Sequence, residues 1–196
     1  MNFPNWKLEI IKKFREGNLK NEKISFIHIP KCAGTYASQY ISLFNINMKN
    51  HNRAEKPEDG LTFGIIRHPV ERFQSFLNYR LGEETPRKDF PERLHYVYSN
   101  KNISLNTIVD SLTDEEILSF RPYRSINYWA KNIDLLLTID EFIPALALMG
   151  FNTTVEFPQL NVSQKIRGNL TGDRIDRINN LFKKDIRIYN KWTLKN

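Results

Sequence analysis

The chain has 196 residues, of which 40% are hydrophobic, 26% charged and 12% aromatic, with a formal net charge of +7. That length suits one domain with a single sizeable core, and 13 Phe and 8 Tyr point to an interior built on rings. A lone cysteine, Cys32, rules out an intrachain disulfide, and no run of 18 apolar residues offers a membrane span.

The start of the sequence, Met1-Asn2-Phe3-Pro4-Asn5-Trp6-Lys7, lacks the apolar core of a secretory leader, so the expected location is cytoplasmic. A basic excess attracts anions: nucleotides, acidic glycans, nucleic acid or anionic lipid. The basic residues are dispersed, with no basic run and no RNA-binding signature, so nucleic acid is not the expected partner. No His, Cys, Asp or Glu cluster has the spacing of a ligand set, so no metal is expected.

Residues 7–16 place Leu8, Ile11 and Phe14 on one helical face, and Gly17-Asn18 ends that helix. Ile24 to Ile29 is an apolar run and reads as a buried strand. From Thr35 onward, Tyr36, Ala37, Tyr40, Ile41, Leu43 and Phe44 recur at helical spacing. Residues 45–60 are polar and show no period. Leu61 to Ile66 is a second buried strand, followed by Arg67-His68-Pro69, where the proline suits the first turn of a helix. Val70, Phe73, Phe76 and Leu77 mark that helix, and 82–93 reads as a loop. Short helices are expected over 104–112 and 113–120, the second opened by a capping box of Thr113 and Glu116. Ile133 to Ile139 is a third strand, and Asp140 is the expected cap of a helix that stops at Gly150. Residues 157–168 form a polar loop. Ile175, Ile178, Leu181 and Phe182 mark a last helix, and Ile186 to Trp192 an apolar, aromatic tail. Strands alternating with helices predict an α/β fold with a central parallel sheet flanked by helices.

The junction Ile29-Pro30-Lys31-Cys32-Ala33-Gly34-Thr35-Tyr36 carries the chemistry. A strand passes through a tight loop into a helix, so unpaired backbone N–H groups, a lysine and a hydroxyl gather at one point. Such a point suits a phosphate or a phosphosulfate. The ATP-type loop, Gly-x-x-x-x-Gly-Lys-Ser/Thr, occurs nowhere in the chain; here Lys31 precedes Gly34. At the second junction, Arg67 ends a strand and offers a planar fork for a phosphate, with Ser75 two helical turns on.

Together the two junctions resemble the carbohydrate sulfotransferase family, which uses 3′-phosphoadenosine 5′-phosphosulfate (PAPS). Ile29 to Thr35 is similar to the family's 5′-phosphosulfate loop. Ile66-Arg67-His68-Pro69-Val70-Glu71-Arg72-Phe73-Gln74-Ser75-Phe76 is similar to its 3′-phosphate element. Leu160-Asn161-Val162-Ser163 and Asp185-Ile186-Arg187-Ile188-Tyr189-Asn190 resemble its late loop and its C-terminal ending. The likeness fades between Gly82 and Leu112.

The resemblance implies a P-loop NTPase-like sulfotransferase fold in one domain over 1–196, with a variable helical insert over 82–125 near the acceptor. It implies transfer of a sulfuryl group from PAPS to a hydroxyl of a saccharide, without a metal. Lys31, Cys32, Ala33, Gly34, Thr35 and Tyr36 would hold the 5′ end of PAPS, Lys31 also acting in catalysis. Arg67 and Ser75 would hold the 3′-phosphate, with Lys165 and Arg167 closing over that phosphate or the adenine. Arg121, Tyr123 and Arg124 are candidates for an acidic sugar, by carboxylate pairing and ring stacking. Four histidines are possible bases: His28 beside the loop, His68 in the Arg67-x-Pro69 turn, His95, and His51 between the two motifs. His51 is the choice, since the family carries a catalytic His or carboxylate in that interval, and Glu55 is the fallback. A divergent nucleotide-dependent kinase and an inactive nucleotide- or glycan-binding relative are the alternatives.

Overall fold

The computed structural model describes residues 3–16, 24–50, 60–82, 90–120, 124–157 and 167–193. Among them, β1 (Ile24–His28), β2 (Asn47–Asn50), β3 (Leu61–Ile65) and β4 (Leu135–Leu137) form one sheet in the order β2-β1-β3-β4. Every pairing is parallel. The helices are α1 (Asn5–Glu16), α2 (Gly34–Leu43), α3 (Pro69–Leu81), α4 (Tyr96–Ser99), α5 (Leu105–Asp110), α6 (Asp114–Ser119), α7 (Ile126–Ala130), α8 (Ile139–Leu148), α9 (Asp173–Leu181) and α10 (Lys183–Thr193). The fold is the expected α/β arrangement of a parallel sheet flanked by helices.

β1, β3 and β4 are buried along almost their whole length, which is why they read as unbroken apolar runs. β2 escaped the sequence reading for the opposite reason. Among the described residues Asn47-Met48-Lys49-Asn50 pairs on one side only, with β1, and a polar edge strand has no apolar run to announce it. The capping box of α8 also differs from expectation. Thr138, not Asp140, is the cap: its hydroxyl accepts from the Glu141 N–H, and Glu141 accepts from the Thr138 N–H at 2.8 Å.

The chain divides into two compact units, one of Met1–Arg67, Ile126–Asn161 and Arg187–Asn196, the other of His68–Ser125 and Val162–Ile186. The helical unit thus takes in more of the chain than the expected insert over 82–125.

The first unit holds the sheet. Phe14 of α1 and Phe26 of β1 meet Phe63 of β3 edge-on, with ring centroids 5.9 and 5.4 Å apart. Lys7 of α1 is fully buried, and its Nζ lies 2.6 Å from Glu141 of α8. Burial holds the Lys7 ammonium below its usual pKa, although Glu141 works against that shift. The expected apolar tail is in fact the helix α10, whose Trp192 packs edge-on against Trp6 at 5.0 Å.

In the second unit all the described elements are helical. Its core joins Phe73, Phe76 and Leu77 of α3 to Leu105 and Val109 of α5 and Ile178 of α9. Arg177 of α9 donates to Asp114 and to the carbonyls of Val109 and Leu112, each at 2.7 Å, and so caps the C-terminal end of α5. Arg174 forks onto Asp110.

Candidate functional site

The first junction begins where β1 ends. The Cys32 N–H donates to the Ile29 carbonyl at 3.2 Å, closing a turn with Pro30 and Lys31 at its corners. Lys31 has φ 65°, so this is the type II pattern, with proline first and a left-handed residue second. Ala33 is left-handed as well, at φ 61°. Glycine or asparagine ordinarily fills such positions; for Lys and Ala the conformation costs roughly 1–2 kcal/mol each. Alternating left-handed residues turn successive N–H groups toward one side of the chain, the geometry of an anion-binding nest.

Ala33 is the N-cap of α2 and supplies no side-chain acceptor. The first helical bond runs from the Ala37 N–H to the Ala33 carbonyl at 3.0 Å. The amides of the first turn, on Gly34, Thr35 and Tyr36, therefore precede the helical ladder. Gly34 is required by a neighbour: a Cβ there would stand 1.8 Å from Cδ2 and 1.9 Å from Nε2 of His28.

The loop residues are unequally placed. Thr35 is exposed and Lys31 half-buried. Tyr36 is half-buried against Tyr40 and Phe142. Burial first, then its hydrogen bond with Tyr40, pushes the Tyr36 hydroxyl up to about 12, so it stays protonated at neutral pH. Cys32 is 1% exposed and its thiol belongs to the core. Its N–H donates within the turn.

The second junction leaves the neighbouring strand. β1 and β3 pair in parallel with Ile27 opposite Gly64. Lys31 follows the end of β1 by three residues and Arg67 follows the end of β3 by two. The Lys31 turn and Arg67 therefore issue from the same end of adjacent strands. β2 and β3 flank β1 on opposite sides, so this end is a topological switch point, where open α/β sheets hold ligands. Arg67 is half-buried, and the Ile66 N–H before it donates to the Leu137 carbonyl at 2.8 Å.

Beyond Arg67 the chain enters the second unit. His68 caps α3, its Nδ1 accepting from the Val70 N–H at 3.3 Å, and Pro69 fills the first helical position. Burial holds the His68 imidazole below its usual pKa, while Glu71 opposes this. Ser75 is half-buried on α3.

Arg167 departs from expectation. It is 5% exposed and donates to the carbonyls of Asn100, Ile103 and Val97, so its guanidinium is engaged inside the helical unit and is not available to close over a phosphate. Arg124 is exposed, and its carbonyl accepts from the Arg72 guanidinium at 2.9 Å. His51, Glu55, Arg121, Tyr123, Lys165 and the Asn161-x-Ser163 loop lie outside the described residues. His95 Nε2 lies 3.1 Å from the Phe90 carbonyl. Among the described residues no group of three His, Cys, Asp or Glu side chains could hold a metal.

Sequence reasoning missed one buried network in the second unit. Arg72, fully buried, lies 4.0 Å from Asp185, which also accepts from the Ser125 hydroxyl. In the sequence Arg72 stands beside Glu71 in an amphipathic helix and reads as a solvent-facing charge; only its partner's burial distinguishes it. Comparison with models of known protein families gives no match, and comparison with curated proteins gives none either.

Proposed function

We propose that the chain is a PAPS-dependent sulfotransferase acting on a hydroxyl of a saccharide or glycoconjugate. One observation carries the reading: the Lys31 turn and Arg67 leave the C-terminal ends of adjacent parallel strands at the switch point of the sheet. A nucleotide with phosphates at both its 5′ and 3′ positions suits two basic junctions so arranged. The start of α2, which has no side-chain cap, and the strained backbone at Lys31 and Ala33 favour an anion at the first junction.

PAPS, when bound, supplies an activated sulfuryl group whose leaving partner is a phosphate. The residues of the chain do the rest. The amides of Gly34, Thr35 and Tyr36 and the Thr35 hydroxyl hold the 5′ end. Lys31 stabilises negative charge that grows on the leaving oxygen during in-line displacement. Arg67 binds the 3′-phosphate with its planar fork. His51, or Glu55 in its place, accepts the proton of the acceptor hydroxyl as the new S–O bond forms and the old one breaks. Arg124, with Arg121 and Tyr123, engages an acidic sugar. No step needs a metal.

The test is an acceptor screen with sulfur-labelled PAPS over neutral and acidic glycans. Label transferred to a glycan by the native chain, and lost in Lys31→Ala, supports the reading. No transfer to any glycan, with γ-phosphoryl transfer from ATP instead, would put the kinase alternative in its place.

A further inference from the structure

The close approach of His28 to Gly34 assigns a task to a histidine that the proposed reaction leaves unused. His28 is the last residue of β1 and is half-buried. Its ring edge sits where a side chain at position 34 would be: Cδ2, Nε2 and Cε1 lie 1.8, 1.9 and 2.7 Å from a Cβ built there. Those distances are far below any van der Waals contact, so a side chain at 34 and the imidazole cannot share the space. Gly34 is buried and opens α2, and its amide is among those aimed at the proposed anion. Lys31 and Ala33, on its N-terminal side, hold left-handed backbone. Something must set the strand, the turn and the helix start against each other, and the imidazole stands at that junction.

We propose that His28 is a positioning residue: its imidazole is a wedge between the end of β1 and the start of α2 that fixes the anion-binding amides of the 31–36 loop. It is not assigned as the base. The claim rests on the sulfotransferase reading for the identity of the anion, but the wedge itself does not.

The pair can be separated by a double-mutant cycle. Alanine is a better helix former than glycine, so Gly34→Ala would stabilise α2 if the site were open. With the wedge in place, Gly34→Ala lowers the melting temperature, and His28→Ala/Gly34→Ala recovers to at least the value of His28→Ala alone. A Gly34→Ala chain as stable as the native one, or additive losses in the double variant, overturns the wedge.

The positioning role is read by calorimetric titration with 3′-phosphoadenosine 5′-phosphate. His28→Ala weakens binding about tenfold while far-ultraviolet circular dichroism stays native, since a mispositioned loop loses aligned amides rather than fold. His28→Gln, whose planar amide reaches the same space, restores most of the affinity. Native affinity in His28→Ala overturns the positioning role and leaves the sulfotransferase reading standing. A native chain that does not bind the bisphosphate overturns that reading, and the melting-temperature cycle then decides the wedge by itself.

Discussion

Lys31 occupies a backbone conformation that costs it energy, and it is the residue on which the proposed chemistry turns. Its charge matters most when the leaving oxygen becomes negative. Lys31→Ala is therefore expected to lower kcat about 10²-fold while changing the affinity for the bisphosphate much less. Arg67→Ala is expected to do the reverse, weakening bisphosphate binding about tenfold or more through loss of a charge-assisted fork. Steady-state kinetics and calorimetry on the two variants check this; equal and mild effects from both would contradict it. His68 makes a separate prediction. Its Nδ1 must be unprotonated to cap α3, and burial lowers its pKa from 6.5. The folded state thus prefers the neutral ring, and the unfolded chain binds more protons between the lowered pKa and 6.5. This contribution to stability is complete above pH 6.5 and is lost as pH falls toward the folded pKa. Urea midpoints between pH 7.5 and 5.5 should fall more for the native chain than for His68→Asn, which keeps a cap acceptor but does not titrate there.

The elements differ in how far their residues announced them. The Thr113–Glu116 capping box was legible because both partners lie within one turn, and the structure has it in both directions. β1 and β3 were legible because strands covered on both faces are apolar throughout. β2 was not, being a polar edge, and α10 was not, because Ile186, Ile188, Tyr189 and Trp192 read equally well as an extended aromatic tail. Of the candidate site, the two junctions could be found from local sequence. What could not be found were long-range partners: the three carbonyls that engage Arg167, and Asp185, which stands 113 positions beyond Arg72. The Arg72–Asp185 pair is buried on both sides, so losing one partner takes the opposite charge away from a buried one. Arg72→Ala should destabilise the chain by about 3 kcal/mol in urea unfolding, and Arg72→Met/Asp185→Leu by much less. Similar losses in the single and double variants would show that the pair is not coupled.

Taken as one protein, the chain carries two hydrophobic cores with different duties. The core of the first unit holds the sheet whose strand ends bear Lys31 and Arg67. The second is built of helices braced by Arg174 and Arg177 against α5 and α6. The reading of the first as a cradle for a doubly phosphorylated adenosine explains why a chain of net charge +7 needs no concentrated basic run. Two cations at strand ends, backed by helix amides, suffice for one small anion. The most direct measurement is calorimetric titration of the native chain with 3′-phosphoadenosine 5′-phosphate and, separately, with ATP and Mg²⁺. The account predicts saturable binding of the bisphosphate, weakened by Arg67→Ala, and little or none of the ATP. Tight binding of ATP with no response to the bisphosphate would contradict it.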